Sequence, residues 1–284
     1  MFSFLFRKKN APTEGMFVVF DIGGTKMRVA RADGAELKDV RIESTPQDPI
    51  EGIAQLVSFI QNISKGEALL GVSGCVAGKV GENGIISDAR NLQQWETIPL
   101  AKKLTEVFKV PVFVAEDVAF AGLGEAHFGA GKGSEVVAYV TVSTGVGGSR
   151  IEHGAIDFSA SDFRVGRIKV GESDLEGTVS GTAVKLRFGI EPKDFESLEE
   201  RKKLADTLAG GLVEVVRTWR PDTIVLGGSM IVGKNSIPLD EVEVALKFGQ
   251  HNASVPLPKI KKAELGDFGG LYGALVYIKQ KTEK

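Results

Sequence analysis

The chain has 284 residues, of which 43% are hydrophobic and 25% charged, the balance of a globular protein able to bury a sizeable core. It carries 35 basic and 37 acidic side chains, so the formal net charge is −2 and electrostatics gives no reason to expect nucleic acid or an anionic membrane as partner. Cys75 is the only cysteine, which excludes an internal disulfide framework and fits a reducing cytoplasm.

His127, His153 and His251 are scattered, and no Cys/His cluster has zinc-ligand spacing. No apolar run approaches the roughly 18 residues of a membrane span. Residues 1–15 read as an N-terminal tail. There Phe2, Phe4, Leu5 and Phe6 precede Arg7, Lys8 and Lys9, the reverse of a secretory signal. That order suits a frayed end or a weak surface anchor.

FVVFD at residues 17–21 predicts a buried strand, IGGTK a glycine turn, and MRVARA a returning strand. Asp33-Gly34 signals a hairpin into a third strand, LKDVRIES. Ile50, Ile53, Leu56, Val57 and Ile60 recur at helical spacing over 49–63. ALLGVSG predicts the next buried strand, 98–108 a helix, and VPVFVAED another strand. At 136–152 the opening pattern returns: strand VVAYVTVS, turn TGVGGS, strand RIEHGAI. A repeat at that distance points to two duplicated domains rather than a solenoid. DTIVLGGSMI is a strand running into a glycine pair, and AELGDFGGLYGALVYIK a glycine-rich loop and helix. Alternating strands and helices give an α/β architecture, in which ligands bind at the carboxyl ends of strands.

Four segments carry candidate chemistry. In Asp21-Ile22-Gly23-Gly24-Thr25-Lys26 a carboxylate ends a strand before a turn whose amides could form an anion nest, with Asp21 placed to hold Mg²⁺. An ordinary hairpin has the same composition. Ser143-Thr144-Gly145-Val146-Gly147-Gly148 repeats the arrangement, and the pair is more specific than either member. Glu116-Asp117 closes a strand, where a carboxylate could take a proton from a hydroxyl or cap a helix. Gly227 and Gly228 permit close approach of a flat ligand or simply a tight turn. GAGKGS at 129–134 fails the P-loop spacing, and no GxGxxG follows a strand, which disfavours a Rossmann dehydrogenase.

Together these segments resemble the ROK family (repressors, open reading frames, kinases) of sugar kinases and sugar-responsive regulators, over roughly residues 16–278. DIGGTKMRVA and VTVSTGVGGSRI resemble its two phosphate motifs, GVSGCVAGKV with NLQQWETIPL its sugar loop, and VPVFVAEDVAFAGLGEAHFGAG the motif of its catalytic base. RPDTIVLGGSM resembles the adenosine segment and LGDFGGLYGAL the C-terminal one. The resemblance implies a duplicated two-domain α/β fold of the actin-like ATPase (ribonuclease H-like) class with a central cleft. It implies a domain at 16–117 joined by a C-terminal helix at about 268–284, and a larger domain at 118–267.

The implied activity is phosphoryl transfer from Mg·ATP to a sugar hydroxyl, in a cytoplasmic homodimer without nucleic acid. Asp117 would be the base. Asp21, Gly23, Gly24, Thr25, Lys26, Ser143, Thr144, Gly145, Gly147, Gly227 and Gly228 would hold the nucleotide, with Asp21 also toward the metal. Asn91, Glu116, Arg167 and Glu176 would face the sugar.

The departures concentrate on the sugar side. Glu116 stands where the family usually has Asn, and Ala119 where another Asn follows. Arg164-Val165-Gly166-Arg167 falls at the family's Glu-x-Gly-His. The cysteine-rich loop is absent, so no zinc is expected, and Asp174 stands where its last cysteine would be. Arginine donates hydrogen bonds and accepts none, so this pair suits an acidic acceptor or a solvated surface. The alternatives to a sugar kinase are a kinase of an atypical acidic acceptor and a non-catalytic sensor. About fifteen residues before the first strand are too few for a DNA-reading module.

Overall fold

The computed structural model describes residues 15–81, 84–249 and 255–282. The aromatic–basic segment at Phe2–Lys9 and His251 lie outside the described residues. The chain divides into two compact units, one running through Asp117 and resuming at Tyr277, the other Val118–Val276.

In the first unit β1 (Met16–Ile22) is the centre of the sheet. Val18, Val19 and Phe20 are fully buried, as a strand covered on both faces requires. β2 (Lys26–Asp33) and β3 (Glu36–Ser44) return antiparallel. The connecting loop is Gly34-Ala35, one residue later than Asp33-Gly34, because positive φ falls on Gly34 (59°) and Asp33 pairs with Glu36 inside the ladder. β3 is an exposed edge with charged side chains at most positions, which blunts pairing with another chain. β4 (Leu69–Val76) joins β1 in parallel on the other side; after the small ribbon β5 (Lys79–Val80) and β6 (Ile86–Ser87), β7 (Val112–Glu116) joins β4 in parallel. The order is β3-β2-β1-β4-β7.

α1 (Pro49–Ser64) starts where Asp48 accepts from the Ile50 N–H and Pro49 fills the first turn. It buries Leu56, Ile60 and Ile63, and α2 (Leu100–Phe108) buries Leu100 and Leu104. Trp95 is fully buried in this core, with its indole N–H on the Pro46 carbonyl. Near the chain's end Ile278 is buried against Gly71, the Tyr277 ring meets Phe113 edge-on, and Lys279 donates to the Gly34 carbonyl.

The second unit repeats the plan. α3 (Asp117–Phe128) leads into β8 (Val136–Val142), β9 (Val146–Glu152) and β10 (Ala155–Ile156), then the ribbon β11 (Lys169–Val170) and β12 (Ser173–Asp174). Helices α4 (Leu175–Val179), α5 (Gly181–Phe188) and α6 (Leu198–Trp219) follow, then β13 (Thr223–Gly227), α7 (Ser229–Val232), α8 (Leu239–Gly249) and β14 (Lys259–Lys262). α9 (Gly269–Thr282) ends the chain and is divided between the units after Val276.

This sheet is ordered β10-β9-β8-β13-β14, with β8, β13 and β14 parallel and β9 and β10 antiparallel. The same five-strand order in both units is that of the actin-like ATPase fold. Its core joins Val140, Val142, Ile224 and Leu226 to Leu204, Leu208, Leu212, Val215 and Trp219 of α6. Among the described residues no helix is long and apolar enough to cross a membrane.

A methyl group at Gly52 of α1 would collide with the far edge of the Trp95 ring. Replacing glycine by alanine within a helix gains about 1 kcal/mol of propensity, whereas overpacking a core costs about 1–3 kcal/mol. Gly52→Ala is therefore expected to destabilise the protein in chemical denaturation. In a Trp95→Phe background, where the colliding atoms are gone, the same change is expected to be neutral or stabilising.

Candidate active site

The chemistry of the first unit gathers at the carboxyl ends of its parallel strands. Register aligns Asp21 of β1 with Cys75 of β4 and Ala115 of β7, and places Glu116 beside Val76. Asp117 follows, exposed, as the first residue of α3, so it lies inside the helix start rather than in the capping position before it.

Asp21 is held from both sides. Its Oδ2 lies 3.2 Å from Nη1 of Arg28, its antiparallel partner on β2, and its Oδ1 accepts from the Cys75 thiol at 3.4 Å. Burial pushes the Cys75 thiol well above its ordinary range, with the charges of Asp21 and Asp117 adding to the effect and Arg28 opposing it. Cys75 is therefore an inert neutral thiol.

The turn after β1 has a specific hydrogen-bond pattern. The Gly23 carbonyl accepts from Thr45 Oγ1 at 2.7 Å, the Gly24 carbonyl from Gln47 at 3.1 Å, and the Thr25 carbonyl from the Thr45 N–H at 3.0 Å. The Gly23 N–H is spent on the Lys26 carbonyl at 2.9 Å. Among the described residues nothing accepts from the N–H groups of Gly24 and Thr25, and Thr25 is exposed. Lys26 opens β2 with its side chain exposed. Asn91 backs onto this turn, since a Cβ at Gly24 would collide with its side chain.

The turn after β8 in the second unit is built the same way. The Ser143 carbonyl accepts from the Gly181 N–H at 2.7 Å, the Thr144 carbonyl from Thr182 Oγ1 at 2.7 Å, and the Gly145 carbonyl from the Ser143 N–H at 2.8 Å. Two consecutive amides, Thr144 and Gly145, again have no acceptor among the described residues. The Val146 N–H donates to Glu176 Oε2 at 3.0 Å, and Gly147 pairs within the sheet opposite Thr141.

Gly227 and Gly228 sit against β8, the strand that leads into this second turn. Gly228 has φ 85°, a backbone conformation that side chains rarely adopt, and a Cβ there would strike the Val142 carbonyl. Ser229 Oγ lies 3.1 Å from Ser143 Oγ.

The arginine segment lies close by. Val165 is buried, and a Cβ on Gly166 would reach the Val146 carbonyl at 2.5 Å and Glu176 Cβ at 3.3 Å. Arg164 and Arg167 are exposed, and Arg167 Nη1 bonds Asp174 at 3.1 Å. Asp174 also caps α4 through the Gly177 N–H at 2.7 Å, and these two donors hold its carboxyl below the ordinary range. Among the described residues no group of three or more His, Cys, Asp or Glu could hold a metal ion.

The structure adds Arg28, Thr45, Gln47 and Thr182 to the residues expected from sequence. Arg28 was findable, since a three-residue turn between Ile22 and Lys26, with Ile22 pairing Met27, puts it across from Asp21. Thr45 and Gln47 lie after β3 and carry no local signal.

Half-buried Glu116 is desolvated, which raises its carboxyl above the ordinary 4.5 despite a hydrogen bond from the Val80 backbone; the charge of Asp88 raises it further. The folded chain thus holds this proton to higher pH than the unfolded chain does. Stability from this group is fully present below 4.5 and is lost as pH rises through the raised value. Glu116→Gln keeps an acceptor and removes the charge. It is expected to raise the melting temperature at pH 7, by a margin that shrinks toward zero at about pH 4. Gly145→Ala would bring a methyl group to 2.6 Å from Glu176 Oε2. It is expected to displace Glu176 from the Val146 N–H and lower the melting temperature by a few degrees in calorimetry, since a misplaced acceptor forfeits much of a charge-assisted hydrogen bond.

Comparison with known proteins finds relatives over most of the chain. The chain is 30% identical over 295 residues to an uncharacterized protein of Clostridium perfringens, covering 95% of this chain and 100% of that one. It is 26% identical over 258 residues to a glucokinase of Thermotoga maritima, covering 74% and 80% of the two chains. A ROK family glucokinase from Streptomyces griseus, solved with glucose and AMPPNP, superposes with a TM-score of 0.75 at 22% identity, over 94% of this chain and 100% of that one. The family model described as ROK family matches residues 17–157 and 175–281, and the chain belongs to the ROK family.

Proposed function

We propose that this chain, a carbohydrate kinase of the ROK family, transfers the γ-phosphoryl group of Mg·ATP to a hydroxyl of a sugar or sugar derivative. The observation that carries this is the doubled turn. In each unit every loop carbonyl is satisfied by the protein, while two consecutive amides at a strand end have no acceptor among the described residues. Amides in that arrangement bind anionic oxygen. Each unit thus carries one such anion-binding turn. The solved glucokinase carrying AMPPNP has the same fold.

In this reading Gly23, Gly24, Thr25 and Lys26 hold phosphate oxygens from the first unit, and Ser143, Thr144, Gly145 and Gly147 line the nucleotide site of the second. Gly227 and Gly228 leave room for the adenosine. Magnesium fits the donor set: it binds through one or two carboxylates together with substrate phosphates and water, so a lone carboxylate suffices. Asp21 is that carboxylate. The ion, when bound, supplies neutralisation of the charge on the phosphates.

Asp117 accepts the proton of the attacking sugar hydroxyl as the new O–P bond forms and the bond to the leaving ADP breaks. Asn91, Glu116 and Glu176 orient the acceptor. Arg167, tied to Asp174, favours an acceptor bearing a carboxylate or phosphate over a neutral hexose. The single cysteine accords with a cytoplasmic enzyme, and a homodimer is the assembly expected of it.

Turnover across a panel of neutral, amino and acidic sugars with Mg·ATP tests this. One sugar class is expected to be phosphorylated, and Asp117→Asn to lower kcat by about 10²–10⁴-fold with nucleotide affinity unchanged. Nucleotide binding without any turnover would replace the kinase by a sensor. Preference for an acidic sugar that is lost in Arg167→Ala would fix the acceptor class.

A further inference from the structure

Arg28 has no role in the reading above, and its setting asks for one. It is 9% exposed, in the middle of β2, with its guanidinium on the Asp21 carboxylate. Both side chains are largely removed from water, at 10% and 13% exposure. An ion pair so placed is weak evidence for stability, because apolar residues of like volume often serve the core as well. What the pair does supply is direction. Asp21 Oδ2 is held from β2 by Arg28 and Oδ1 from β4 by Cys75, so the carboxylate is locked against rotation by its neighbours on either side. Two residues beyond Asp21, at Gly23, the chain enters the turn in which the Gly24 and Thr25 amides have no acceptor among the described residues.

We propose that Arg28 is a positioning residue for phosphoryl transfer: it fixes, across the β1–β2 pair, the direction in which the Asp21 carboxylate meets the metal of the bound nucleotide. The proposal rests on the kinase reading. Arg28 acts through Asp21 and touches neither phosphate nor acceptor. Its planar fork matters as well as its charge, since lysine offers a point charge on a flexible stem.

The test is calorimetric binding of ADP with and without Mg²⁺ to the wild type, Arg28→Met, Arg28→Lys, Asp21→Asn and the Arg28→Met/Asp21→Asn double variant, beside sugar turnover. Arg28→Met is expected to lose about 10–100-fold of the magnesium-dependent affinity, the usual effect of removing a partner that orients a metal ligand, with metal-free ADP binding unchanged. Arg28→Lys is expected to fall between it and the wild type. The double variant is expected to bind no more weakly than Asp21→Asn alone, because the first change works only through the second residue.

Wild-type magnesium dependence in Arg28→Met, or losses that add in the double variant, would overturn the proposal. Should Arg28→Met fail to fold, Arg28→Lys decides, and unchanged magnesium dependence there overturns it equally. A wild type that phosphorylates a sugar beside an indifferent Arg28→Met sinks this proposal alone. A wild type with no magnesium-dependent nucleotide binding and no turnover sinks the kinase reading with it.

Discussion

Parallel pairing of β1 with β4 and of β4 with β7 puts Asp21, Cys75 and Ala115 on one line across the sheet. Strand side chains alternate, so a slip of one residue in either pairing would turn the whole set to the opposite face. Burial guards the register. Val18, Phe20 and Ile22 of β1 and Val72 and Val76 of β4 fill one core with Leu56 and Ile60 of α1, and a one-residue slip would turn the slipped strand's share away from it. The hydrophobic pattern of the strand interiors thus decides where the carboxylates at the strand ends stand.

The second unit reaches the same kind of turn from different residues. Thr45 and Gln47 satisfy the carbonyls of the first loop from a segment after an edge strand. Gly181 and Thr182, at the start of α5, do so in the second. What the two share is the five-strand order and the direction in which peptide groups face. A polar backbone group out of water needs a partner, so occupying the carbonyls on one side leaves amides on the other.

Much of this was legible in the residues. Strand, glycine turn and strand stand out at 17–31 and again at 136–152 because period-two burial and glycine turns are local signals. Residues 198–219 form the longest helix of the second unit, yet the sequence reading leaves them unassigned. Their charged opening, LEERKK, hides Leu204, Leu208, Leu212, Val215 and Trp219, which recur at helical spacing and are all buried. The cross-strand hold of Arg28 on Asp21 is visible only once loop length fixes which residues face each other. The supports at Thr45, Gln47 and Thr182 are tertiary, and one sequence gives no local sign of them.

The first unit borrows its last pieces from the far end of the chain. Its five strands are complete by Glu116, but Tyr277, Ile278 and Lys279 finish its packing against Phe113, Gly71 and the Gly34 turn. About 160 residues separate the two contributions, which at ribosomal speeds is on the order of 10–30 s of synthesis. Throughout that interval the sheet lacks the Ile278 side chain that packs beside Gly71. The enclosed second unit can settle as soon as it emerges, while the unit that begins first is the one that closes last.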